Sequence, residues 1–283
     1  MKKLLAIVLS AVLVLSLASA ALADVVTIAV PNDPTNEGRA LLLLQNYGVL
    51  TLKEGVGLEA TKLDIASING VEIEFNEVEA SLVPTLVQDV DYAIINNNYA
   101  LAADLNPVKD SLLIESAESP YVNVVSVKAE NAETPLAKAL AAALTSQQVV
   151  DFINDTYGGS AVATVENPTD GYAADVDYAA LAGSSIEVAA TPIPHVQVLK
   201  IAQKILEAKG ITLVIREVTD YITPNEFVFN GDVFANYFAH QPYQDNYNKE
   251  NGTDLVTIAG IHVEPMALYG GRQTTLDALG IAK

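Results

Sequence analysis

The sequence predicts an α/β protein of two lobes built around largely parallel sheets. Short apolar, β-branched runs alternate with longer helical patterns, which is how parallel strands and their crossover helices read. The alternation occurs as two blocks, separated by a passage rich in Gly, Pro, Asp and Ala over residues 161–185. Several apolar runs also end abruptly in polar turns, the texture expected where a buried strand delivers its carboxyl end to a cleft.

Taken in order, residues 1–23 carry Lys2 and Lys3, an apolar stretch over 4–17 and the ending Ala21-Leu22-Ala23, a secretory signal peptide with the mature chain starting near Asp24. Residues 26–30 form a buried strand, the turn from Pro31 to Asn36 supplies cap chemistry, and the apolar residues after Arg39 continue as a helix. A short element follows at 63–68, then VEIEFNEV over 71–78 alternates apolar and acidic residues as a half-exposed strand. A helix is expected over 79–87 and a buried strand over 91–95, ending in Asn96-Asn97-Asn98-Tyr99. Strands at 112–115 and 122–127 flank Ser119-Pro120-Tyr121, a crossing point between lobes.

One helix is expected over 133–156, stopped by Gly158-Gly159, and then a linker over 161–185. The second block restarts with a strand at 186–190, the turn Thr191 to His195, a helix to Lys209 and a strand at 211–218. A helix starts near Asn225, an apolar run occupies 234–238, strands pair at 255–259 and 261–268, and residues 274–283 form a short helix or tail.

Fifteen basic against 35 acidic residues give a net charge of −20, and Lys2 and Lys3 lie in the leader, so the mature chain is more acidic still. That balance argues against nucleic acid or an anionic membrane surface as partner. There is no cysteine, hence no disulfide, thiolate metal site or cysteine nucleophile, and no lipid-modified cysteine is expected. The three histidines fall in no metal spacing, and no G-x-S-x-G, P-loop or G-x-G-x-x-G occurs. No catalytic residue, metal or cofactor is therefore assigned. His262 reads as a strand residue with a satisfied ring and His195 as a helix-start residue.

Two stretches stand out. The turn after the first strand offers free backbone N–H groups and a helix N-terminus to a small anion, and Arg39 one turn in adds a fork for a carboxylate; a capped helix with a surface arginine fits the spacing as well. Phe234, Tyr237, Phe238, His240 and Tyr243 place five rings within ten residues in a chain that is 6% aromatic. They read either as core packing with a surface turn or as the wall of an apolar pocket with polar tips.

The runs IAVPNDPTNEGRALLLLQ (28–45), DYAIINNNYA (91–100), SPYVN (119–123), FANYFAHQPYQD (234–245) and HVEPMALY (262–269) resemble the methionine-binding lipoproteins of bacterial ABC importers. Their order does not: the half with the aromatic segment comes first in that family and second here, so the chain resembles a circular permutation. The resemblance implies a two-lobed venus-flytrap fold (periplasmic-binding-protein type II), with a first lobe at 24–118 and a second at 119–283 that includes the 161–185 linker. It further implies that the crossing at 119–123 stays covalent, that the other crossing is cut, and that the two termini lie close together.

Carried over residue by residue, the resemblance implies that Arg39 takes a ligand carboxylate with Asn36 beside it. Asn96 and Asn123 would hold the amino and carboxylate groups, and Tyr221, Phe238, His240 and Tyr243 would line a thioether pocket. Tyr237, where the family often has a small residue, would narrow that pocket. The implied function is an exported solute-binding protein delivering methionine or a close relative to the membrane permease of an ABC importer. A methionine-containing dipeptide or another hydrophobic amino acid is the alternative ligand, and an enzyme on the same fold the alternative class.

Overall fold

A computed structural model describes residues 25–116 and 118–281; the signal peptide over 1–23 lies outside the described residues. The chain begins with β1 (Val26–Pro31), which leads through Asp33 into α1 (Pro34–Asn46). Asp33 Oδ1 accepts from the Asn36 backbone N–H at 3.0 Å, capping the helix, and Pro34 follows at a position with no N–H to waste. Leu41, Leu43 and Leu44 are fully buried on the inner side of α1. Gly38 lets the helix touch the 58–60 backbone, because a Cβ there would lie 2.2 Å from Leu58 O.

The lobe continues with β2 (Leu50–Leu52), β3 (Ile65–Ile68), β4 (Ile73–Val78), β5 (Tyr92–Ile95), α2 (Asn97–Ala102), α3 (Pro107–Asp110) and β6 (Ser111–Ile114). Between β4 and β5 the expected helix is a 3-10 segment, Ala80–Leu86, which carries Pro84 inside it. The second lobe runs through β7 (Val122–Lys128), α4 (Pro135–Leu144), α5 (Gln147–Tyr157), β8 (Val162–Ala163), α6 (Tyr178–Leu181), β9 (Ser185–Ala190), α7 (Gln197–Glu207), β10 (Thr212–Glu217), α8 (Thr223–Asn230), β11 (Ala235–His240), α9 (Gln241–Asn251) and β12 (Leu255–Val263). The chain then returns to the first lobe as β13 (Ala267–Gly270).

The sheets are mixed rather than largely parallel. The first has the order β4-β1-β5-β13-β6, with β4, β1 and β5 parallel and β13 antiparallel to both neighbours. The second has the order β10-β9-β11-β7-β12-β8, parallel through β10, β9 and β11 and antiparallel beyond.

Three expectations give way here. The strand read over 261–268 divides: its first residues complete β12, and Pro265, which has no N–H for a ladder, marks the passage to β13 in the other sheet. The chain thus passes from one sheet to the other both between β6 and β7 and between β12 and β13. The helix over 133–156 is broken between α4 and α5, where Ser146 caps α5 and Thr169 takes over the freed backbone groups, donating to Thr145 O and accepting from Gln147 N, both at 3.0 Å. That contact is made by the supposed linker, which carries β8 and α6 and lays Tyr172 beneath the Lys209 ammonium at 4.3 Å.

Both ends of the described chain meet one turn: Val26 N donates to Glu72 O at 2.8 Å, and a Cβ on Gly280 would lie 3.6 Å from Asn69 O.

Candidate functional site

The carboxyl ends of β1, β5 and β11 converge from the two lobes on a cleft of about 330 Å³, counting the part open to solvent. All eight residues singled out from the sequence line it: Asn36, Arg39, Asn96, Asn123, Tyr221, Phe238, His240 and Tyr243.

Arg39 is 3% exposed. Its Nε donates to Glu115 Oε1 at 2.9 Å, its Nη2 to Glu115 Oε2 at 2.6 Å and to Glu264 O at 2.7 Å, and the guanidinium lies 4.2 Å over the Tyr121 ring. Burial works against its charge, but the Glu115 carboxylate outweighs it and holds the guanidinium above its ordinary value. These bonds occupy Nε and Nη2. Among the described residues Nη1 donates to none, and it remains as the corner of the fork for an anion.

Asn36 lines the cleft but spends its amide on the protein. Its Nδ2 donates to both Asp33 oxygens, and its Oδ1 accepts from Asn96 Nδ2 at 2.7 Å and from His240 Nε2 at 3.1 Å. The tautomer of His240 follows, because Nδ1 accepts from Tyr243 N at 3.1 Å, which leaves the proton on Nε2. Burial, aided by Arg39, pushes His240 well below its ordinary pKa, so the ring is neutral. Asn36 thus orders the site, and His240 joins it to the other lobe.

Asn96 Oδ1 and Asn97 Oδ1 are buried and have no partner, while Asn97 Nδ2 donates to Glu264 Oε2 at 3.1 Å. Glu264 is 5% exposed and lines the cleft. Its Oε1 accepts from His262 Nε2 at 2.9 Å and lies 3.2 Å from His195 Nε2. Burial alone would raise its pKa; the field of His195 and the hydrogen bonds from His262 and Asn97 turn the balance and hold it below the ordinary carboxylate range.

His195, His262 and Glu264 have the side chains of a metal site, with ligand atoms within 4.8 Å of one another. Their hydrogen bonds do not suit one. Thr191 Oγ1 sits 2.8 Å from His195 Nδ1 and Tyr237 Oη 2.6 Å from His262 Nδ1, while both Nε2 atoms face carboxylate or amide oxygens. Both Nε2 atoms are therefore N–H donors with no lone pair to offer. Tyr237, expected to narrow the pocket, is fully buried and serves this network, because alternation along β11 turns it away from the face that presents Phe238.

The apolar wall is Phe238, Tyr221 and Tyr243, with ring centroids 5.9 Å apart in each pairing. Tyr221 Oη donates to Asn98 Oδ1 at 2.6 Å and Tyr99 Oη to Thr219 O at 3.0 Å, so the lobes are latched across the cleft. Asn97, Asn98 and Glu264 were not assigned from the sequence. The signal for Glu264 was present, as a lone acid after His262 and Val263 at the end of an apolar run.

A family profile described as NlpA lipoprotein matches residues 17–165 and 186–281. The chain belongs to the NlpA lipoprotein family. Members and relatives it resembles include a probable D-methionine-binding lipoprotein MetQ of Pasteurella multocida, 42% identical over 45% of this chain and 46% of that protein. The D-methionine-binding lipoprotein MetQ of Escherichia coli K12 is 41% identical over 48% of this chain and 50% of its own length. A nutrient binding protein from Burkholderia cenocepacia, solved bound to methionine, is 47% identical over 50% of this chain and 61% of that chain, with a TM-score of 0.47. The chain spans about half the length of the curated relatives it matches. Among the described residues no helix is long and apolar enough to cross a membrane.

Proposed function

We propose that this chain is an exported solute-binding protein that closes on a free α-amino acid, methionine or a close relative, for delivery to the permease of an ABC importer. The observation that carries the reading is the polarity of the cleft. Arg39 Nη1, and the Asn123 amide nitrogen, left without a protein partner once His195 has taken Oδ1 at 3.0 Å, form the donor end. Two orphan amide oxygens and an ionised Glu264 form the acceptor end. A carboxylate needs the first, and an ammonium with three N–H groups needs the second. The buried acceptors cost stability unless a donor arrives, about 1–3 kcal/mol each.

The rings of Phe238, Tyr221 and Tyr243 then receive the side chain, and a thioether suits them through sulfur-to-ring contacts of about 0.3–1.5 kcal/mol. The names of the relatives support methionine. The two lobes we assign are 25–114 with 267–281, and 122–263. The permuted order is supported by chain ends that meet one turn and by relatives that align over only half the chain.

Calorimetric titration of ligand-stripped protein with methionine and the other amino acids tests the reading. Tight binding of methionine is expected, and N-acetylmethionine should bind at least about a hundredfold more weakly, since its amide presents one N–H to three acceptors. Silence with every amino acid, or equal affinity for the acetylated form, overturns it.

A further inference from the structure

Tyr221 and Tyr243 line a second cavity as well, of about 340 Å³ counting its open side. Its other walls include Tyr99, Ile222, Asp33 and Glu79, and none of its lining residues is basic. The three rings bring no free donor to it, and Tyr99 and Tyr221 lean on each other with centroids 4.9 Å apart at 34°. Tyr99 Oη donates to Thr219 O at 3.0 Å, Tyr221 Oη to Asn98 Oδ1 at 2.6 Å and Tyr243 Oη to Tyr221 O at 2.8 Å. Asp33 accepts only from Thr35 and Asn36, and among the described residues no cationic side chain pairs with it. Burial raises the pKa of Asp33 and keeps all three phenols protonated, and a cation beside Asp33 would favour its ionised form.

We propose that this chamber takes a cationic side-chain tip, so that the protein binds sulfonium amino acids, in which the methionine sulfur carries a third alkyl group. The proposal rests on the orientation argued above: α-groups between Arg39 and Glu264 direct the side chain along Phe238 toward Tyr221 and Tyr243. A sulfonium has a full charge and no N–H. It loses no hydrogen bond on leaving water and gains from aromatic faces, about 0.5–2 kcal/mol per well-placed ring, and from the fields of Asp33 and Glu79. A primary ammonium is served less well, because each of its donors would need an acceptor.

The test is calorimetric titration of the full protein with methionine, ethionine and S-methylmethionine. Ethionine adds bulk at the sulfur without charge. S-methylmethionine should bind more tightly than ethionine. In Asp33→Asn the ratio of S-methylmethionine to methionine affinity should fall about tenfold, which is about 1.4 kcal/mol, and in Glu79→Gln, whose carboxylate is exposed and screened, about twofold. Asn caps a helix as well as Asp does, and a ratio taken within one variant cancels any general weakening. Ethionine binding more tightly than S-methylmethionine, or ratios unchanged in both variants, overturns the proposal while leaving methionine binding intact. Loss of methionine binding in the unmodified protein would instead remove the reading beneath it.

Discussion

Arg39 pairs with Glu115, and the proposed function gives it a second job, holding the ligand, that a double variant separates from the first. Its ion pair with Glu115 is almost fully buried, at 3% and 10% side-chain exposure, and Glu115 Oε2 also accepts from Met266 N at 2.9 Å. Arg39→Met should strand that carboxylate, and removing one partner of a buried pair costs about 3–5 kcal/mol. It should also remove a charge-assisted contact to the ligand worth about 1.5–3 kcal/mol, a ten- to hundredfold loss of affinity. Adding Glu115→Gln neutralises the stranded acid and keeps an acceptor for Met266. Urea unfolding of the single and double variants should show stability falling and then largely returning, while calorimetry shows methionine affinity falling and staying down. If affinity returns together with stability, Arg39 serves only to neutralise Glu115 and does not hold the ligand.

Asn97→Leu should remove one ammonium acceptor and a donor to Glu264, weakening methionine about tenfold with little change in the affinity of a des-amino analogue. Tyr221→Phe deletes the latch to Asn98 and should weaken binding by about 1 kcal/mol, roughly fivefold, with a more open shape by small-angle scattering of the ligand-free protein. His195 sits at about 3, far below its usual 6.5, because burial disfavours the imidazolium. The unfolded chain therefore binds more protons between those values, so stability should rise with pH across that window and fall by a few kcal/mol as pH drops from about 6.5 toward 4. Urea midpoints against pH should show this slope, and His195→Gln should reduce it, leaving the part that comes from His240, whose pKa burial also lowers.

Much of this was legible because strands and caps are local. β1, Asp33 and α1 follow from a β-branched run, an acid and a proline, and Arg39 from its place one turn in. The aromatic segment pointed to a wall, and alternation decided which rings reach it: Phe238 faces the cleft and Tyr237 the core. What escaped was non-local. Glu264 is a site residue because His195, from a segment about seventy residues away, joins its near neighbour His262 on the same carboxylate, and no spacing in the sequence reports that convergence. The break between α4 and α5 is set by Thr169 docking from outside the helix, and the return of β13 to the first sheet depends on a register found only in three dimensions. Asn36 shows the converse, a residue that lines the cleft as expected but whose hydrogen bonds are committed to its neighbours.

The position of β13, between β5 and β6 in the first sheet, orders the assembly of the molecule in time. With the lobes assigned as proposed, the second is one continuous segment, 122–263, and should form from its own contacts as soon as it is available. The first lobe surrounds it in sequence, and its sheet lacks an inner strand until nearly the last residues have arrived, so its closure waits on the longest-range pairing in the chain. An excised 122–263 segment should therefore fold alone, whereas 25–114 should gain its structure only when the final strand is supplied, even as a separate peptide. The lobe that begins the chain is the one that finishes folding last.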